Sequence, residues 1–146
     1  MAFTGNYMCT SFKVALLNGE MDFSSDTSQS FKIALYTSDA TLDASTTVYS
    51  TTNEASGTGY TAGGNTLTIA TNPTSDTGGT VAYLDFSDTT WTSSSITARG
   101  ALIYKSGGTN PAVAVLDFGA DKTTSSETFT VTFPSSSATT AIIRIG

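Results

Sequence analysis

Histidine is absent from this chain of 146 residues, and cysteine occurs once, at Cys9. Without imidazole there is no Ser-His or Cys-His nucleophile system and no metal site that depends on a histidine ligand. A single cysteine closes no internal disulfide, so thiol content gives no argument for an oxidising compartment. Basic residues are scarce too: 6 Lys and Arg against 12 Asp and Glu leave a net charge of −6, the reverse of a nucleic-acid-binding footprint. No apolar run approaches the roughly 20 residues of a membrane span. Met1 to Thr10 has neither a basic n-region nor a continuous apolar h-region, so no signal peptide is expected there. The expected setting is the cytosol, or a particle assembled in it, with neither nucleic acid nor membrane as a partner.

What the chain does have is hydroxyl and aromatic side chains. About a third of it is Ser or Thr, 38% is hydrophobic, and Phe, Tyr and Trp number 8, 6 and 1. Low charge with that much apolar content is not the signature of disorder. The apolar residues alternate with a period of two: Phe31, Ile33 and Leu35 against Lys32, Ala34 and Tyr36; Leu84 and Phe86 against Val81, Tyr83 and Asp85; Ile96, Ala98, Gly100, Leu102 and Tyr104 against Arg99, Ile103 and Lys105. Leu116 and Phe118, then Phe129, Val131 and Phe133, repeat the pattern, and Ala138 to Ile145 closes the series. Gly63-Gly64, Asn72-Pro73, Gly78-Gly79, Gly107-Gly108 and Pro134 punctuate the runs. The expected fold is all-β, an antiparallel sandwich or barrel of about seven to nine strands. Residues 1–146 form a single domain on this reading, with residues 1–10 as a candidate extended arm. One segment is open between helix and strand: Ser11 could cap Phe12 to Leu17 with Gly19 as the stop, placing Phe12, Ala15 and Leu16 on one face, yet Phe12, Val14 and Leu16 also alternate.

With histidine missing, the carboxylates carry any acid–base chemistry. Asp85 with Asp88, and Asp117 with Asp121, lie where strands run out, and Asp22/Asp26 and Asp39/Asp43 sit in turns. None has the alternating acidic loop that gathers six or more oxygens for Ca²⁺, so they are read as acceptors for turn amides. Ser56 to Gly64 resembles a phosphate cradle only in its glycines, since no Lys-Ser/Thr follows; its content is a flexible loop that anchors Tyr60. Trp91 is expected as a core plug, with its indole lying over Gly100 on a nearby strand, and the alternative for it is a sugar-stacking platform. Cys9 has no cationic neighbour in sequence and reads as a small buried hydrophobe. Arg99 and Arg144 stand in strands flanked by apolar residues; they point to solvent or find an acceptor within the subunit or across an interface. Phe3, Tyr7 and Met8 on the terminal arm need a surface to bury against, either their own domain or a neighbouring subunit. Catalytic, cofactor and metal residues are therefore none; Phe3, Tyr7, Met8, Arg99 and Arg144 are candidate inter-subunit contacts, and Tyr60, Trp91 and Gly100 candidate anchors.

A series of motifs resembles a family of small β-rich proteins encoded by tailed bacteriophages and prophages. Phe31-Lys32-Ile33-Ala34-Leu35-Tyr36 resembles that family's opening strand, followed by Asn53-Glu54 and Gly57-x-Gly59-Tyr60-x-x-Gly63-Gly64. Asp85-Phe86, Trp91, Ile96-x-Ala98-Arg99-Gly100-Ala101, Ile103-Tyr104 and Asp117-Phe118-Gly119 continue it, and Phe129-Thr130-Val131-x-Phe133-Pro134 and Ala141-Ile142-Ile143-Arg144-Ile145 close it. The resemblance runs from residue 31 onward and implies a non-enzymatic structural component of the virion. The expectation is a capsid decoration or cement protein, a small homo-oligomer partnered by the major capsid protein or other virion proteins. Alternatives are a neck or tail component and, from another class, a carbohydrate-binding or host-adhesion module. A Thr- and Ser-tiled strand surface fits each of these, because it can be covered without desolvating charges.

Overall fold

Phe31 to Tyr36 does form a strand, but one covered on both faces. In the computed structural model, which describes residues 3–146, strand β2 (Ser30–Tyr36) is buried from Ile33 to Tyr36 without alternation. It lies beside β7 (Thr97–Ser106), which is itself paired with β8 (Ala112–Thr123). Central strands buried on both sides read as nearly continuous apolar runs, as Ala101 to Ile103 and Ala112 to Val115 do. The additional cover includes residues 37–64, a long connection tied to the sheet by Ala112 N–H to Thr47 O (2.9 Å), Ala55 N–H to Leu35 O (2.8 Å) and Tyr49 N–H to Asn110 O (2.9 Å).

Ten strands are present among the described residues, all paired antiparallel, against about seven to nine expected from periodicity. Three of them are too short to show any period: β1 (Tyr7–Met8), β3 (Asn65–Thr66) and β10 (Ile143–Ile145). The main sheet has the order β1-β8-β7-β2-β3. A second has the order β10-β5-β4, with β4 at Ile69–Ser75 and β5 at Ala82–Phe86. A third pairs β6 (Thr89–Ser94) with β9 (Glu127–Val131). Pro73 sits in β4 at the edge of its sheet, where a missing N–H costs no ladder bond.

The undecided segment is a helix, α1 (Thr10–Leu17). Its end is as the sequence suggests: Gly19 has φ +72°, and its N–H and that of Glu20 return to Leu16 O (3.1 Å) and Ala15 O (2.9 Å), closing the last turn. Its start is not. Cys9 occupies the cap position with no side-chain capping bond, while Ser11 lies inside the helix and donates to Thr46 O at 3.4 Å. Packing against the sheets, rather than a cap, therefore holds this short helix. Phe12 and Ala15 face inward, and Phe12 starts an aromatic chain: its ring meets Phe23 edge-on, and Phe23 stacks on Phe31 at 4.2 Å. Phe86 and Phe133 extend the chain between the sheets.

Candidate interaction site

The N-terminal arm docks on its own domain. Met1 and Ala2 of the proposed arm lie outside the described residues, but Phe3 is 1% exposed and belongs to the core. Phe3 is therefore corrected from an inter-subunit contact to an internal anchor. Its ring, not that of Trp91, lies over Gly100: a Cβ built on Gly100 would meet Phe3 Cζ at 2.7 Å and also collide with Leu116 O. A small residue in a strand marks a close approach, as expected, but sequence could not say which aromatic approaches.

Tyr7 and Met8 follow Phe3 as the edge strand β1, opposite Val115 and Ala114 of β8. Asn6 adds a side-chain rung, its Oδ1 accepting Asp117 N–H at 2.7 Å. Arg99 does not reach out to a neighbour: its Nε donates to Asp117 Oδ1 at 3.1 Å, and both side chains are largely covered. The Gly119 amide and then Arg99 hold the Asp117 carboxyl below the usual carboxylate range, so its stabilising contribution is present above the unfolded value and lost as the pH falls through the folded one. Arg144, by contrast, is exposed, with Nη1 donating to Thr139 O at 2.6 Å.

Three of the five sequence-chosen contacts come together. Tyr7, Met8 and Arg144 line one groove of about 570 Å³, between β1 and the segment 138–146. Its walls are mostly apolar, including Val81, Ala114, Leu116, Ile142 and Ile143, and Arg144 is the only charged side chain among them. Asp85, buried in β5, accepts the Phe86 amide at 2.9 Å, and the nearby Ile142 amide of this C-terminal segment also favours its ionised form. Burial, with a smaller push from Asp88, raises the Asp85 carboxyl above its ordinary value. The folded state then binds that proton more tightly than the unfolded one, so stability from this group is full below the unfolded pKa and is lost as pH rises through the folded value. Asp85→Asn keeps an acceptor and removes the charge, so it should raise Tm at neutral pH, with the gain vanishing near pH 3. A Tm difference equal at both pH values would sink this account.

The anchors behave as a second, internal constellation. Trp91 is 4% exposed, with Phe129 edge-on at 6.0 Å and Tyr60 at 5.9 Å, and its Nε1 makes no hydrogen bond. The Tyr60 hydroxyl donates to Glu54 Oε1 (2.7 Å) and accepts the Leu35 amide (2.9 Å). Glu54 also accepts the Tyr49 hydroxyl (2.6 Å) and the Gly63 amide (2.7 Å), and Tyr104 stacks on Tyr49 while donating to Gly63 O (2.7 Å). Burial and the Glu54 carboxylate push the Tyr49 and Tyr60 hydroxyls far up, which keeps them protonated as donors. Sequence reasoning gave Glu54 no role; its one signal is a lone carboxylate five residues after Tyr49 and six before Tyr60, at the mouth of the glycine loop.

Asp22 and Asp43 are turn acceptors, as read, taking the Ser24 amide (2.9 Å) and the Ser45 amide (2.7 Å), whereas Asp88 reaches across the fold to the Phe133 amide (2.8 Å). Burial, then Asp43, pushes the Cys9 thiol up to about 11, so it stays an unreactive thiol at neutral pH. Among the described residues, no group of three or more His, Cys, Asp or Glu side chains is placed to hold a metal ion. No protein-family model matches the chain, and no curated protein or solved structure matches it either.

Proposed function

We propose that this chain is a structural protein of a bacteriophage particle, a decoration or cement protein that binds the outside of the capsid as a small oligomer. The observation that supports it is a surface suited to being covered. On the β6–β9 ribbon, Thr90, Thr92, Thr128 and Thr130 face outward while Trp91, Phe129 and Val131 face inward, with no charge among those outward positions. Val14, Leu17, Val48 and Ile145 add exposed apolar side chains, Leu17 at 90%. Such a surface can be buried without stripping water from ions. A carbohydrate-binding module would need an exposed aromatic ledge, and the Trp91 indole is buried while the Tyr60 hydroxyl is already occupied.

The role is mechanical. Binding only to the assembled shell stabilises the shell by mass action. Quantitative mass spectrometry of gradient-purified particles tests the reading. Copies on the order of hundreds per particle are expected for a repeating shell, and about six or twelve would move the protein to the neck or a tail ring. Particles without the chain would end the particle reading, and stripped particles with full heat resistance would end the cement role.

A further inference from the structure

The strands nearly close a barrel, and the groove lies where closure fails. The order β1-β8-β7-β2-β3 passes into β4-β5-β10 through residues 65–75, which serve both sheets. Within that bend Leu67 N–H donates to Phe31 O (2.8 Å) and Thr68 O accepts Ser87 N–H (2.9 Å). Full closure would need β10 to pair with β1, and among the described residues no such pairing exists. Both strands instead contribute to the walls of the 570 Å³ groove. Cys9 N–H bonds Val113 O at 2.9 Å, and Tyr7, two residues earlier, faces Val115 in the same register. In an antiparallel pair the intervening residue turns its N–H and C=O away from the partner, so those of Met8 point off β8 towards the unfilled edge.

We infer that this gap is a strand-acceptor site, filled in the particle by an extended segment of a neighbouring virion protein that carries alternating apolar side chains and one carboxylate. The inference rests on the particle reading for the source of the segment. Free edges on two strands ask for main-chain pairing, and an apolar wall asks for alternate side chains, the two components of recognition by strand addition. Arg144 supplies the charge: it is the groove's only ionic side chain in a chain of net −6, and it selects an acid. A second copy is a poorer occupant. A two-fold dimer through the gap brings both Arg144 side chains to one interface, where like charges face each other.

The test uses the full chain and a designed peptide of about a dozen residues, alternating Val and Thr around one Glu. NMR should show amide shifts at Tyr7, Met8 and Ile143 to Ile145, and about tenfold weaker binding when the peptide's Glu is replaced by Lys. Arg144→Glu, at an exposed position, should reverse that preference. Met8→Pro removes the outward N–H without touching the β1–β8 bonds, and should abolish binding while circular dichroism stays unchanged. Shifts elsewhere, no binding, binding indifferent to peptide charge, or self-association through the same edge would each overturn the inference. Peptides tiled across the particle's other structural proteins then test the source: one acidic segment should compete with the designed peptide, and none competing would overturn the assignment. A chain counted at high copy in particles with its gap empty by cross-linking from Met8 overturns this inference alone. A chain missing from particles overturns the particle reading, while the designed-peptide result still stands for the gap.

Discussion

Gly64→Ala should cost about 3–5 kcal/mol of folding stability, a large share of the roughly 5–15 kcal/mol that holds a typical domain together. Gly64 has φ +69°, where an L side chain is strained, and a Cβ there would meet Ile33 C at 2.6 Å and Ala34 Cα at 2.8 Å. Both atoms are backbone of β2, inside the main sheet, so no side chain can swing aside to make room. Either β2 shifts or the loop lifts, and lifting it pulls Gly63 from Glu54 and Tyr104 and unpairs β3 from β2. With a urea slope of about 2 kcal/mol/M, the midpoint should fall by roughly 2 M. Gly78→Ala is the control: its φ is +70° but nothing lies within 4 Å of the added carbon. It should lose only about 1 kcal/mol, the left-handed strain alone. Equal losses in the two variants would mean the collision with β2 is relieved at no cost.

Phe3→Ala is the second large effect, at about 3–5 kcal/mol, since it empties a ring site in the core. Phe3 is 1% exposed and lies against Gly100. A loss of that size corresponds to a Tm lower by roughly 10 °C for a chain of this length. The damage should be local as well as global. Phe3 anchors the arm four residues before Tyr7, so hydrogen exchange at Tyr7 and Cys9, whose amides face β8, should speed up more than at Ile103 in the centre of the sheet. Gly100→Ala in the same background should restore little, because the new methyl still collides with Leu116 O. Uniform acceleration across β1 and β7 would show that the arm and the sheet open as one unit, not separately.

How far the sequence could be read depends on whether the cause was local. Phe129, Val131 and Phe133 against Thr128, Thr130 and Thr132 gave the buried and exposed faces correctly, because side-chain direction alternates along any strand. The same rule failed for Ala34 and Tyr36, which a one-sided alternation places outside and which are buried, the Tyr36 hydroxyl donating to Ser50 O in the connection that follows β2. Gly19 was legible as a helix stop because a left-handed terminus is a property of a few consecutive residues. The missing cap at Ser11 was not, since packing of Phe12 and Ala15 replaced what a cap would have supplied.

The opening absences keep their meaning. The missing histidine, the single cysteine and the turn bonds of Asp22 and Asp43 are facts of composition and of near neighbours, and the chain alone determined them. It also determined the β class and the Thr-rich face of the β6–β9 ribbon. Only tertiary structure decided that Phe3 rather than Trp91 covers Gly100, that Glu54 gathers Tyr49, Tyr60 and Gly63, and that Gly64 is pressed against β2 while Gly78 stands in open space. It alone left β1 and β10 on either side of one groove with no pairing between them among the described residues, and with Arg144 in its wall. The physical reason is the same in each case: these contacts join residues far apart in sequence, and strand order, which no local period encodes, sets which of them meet.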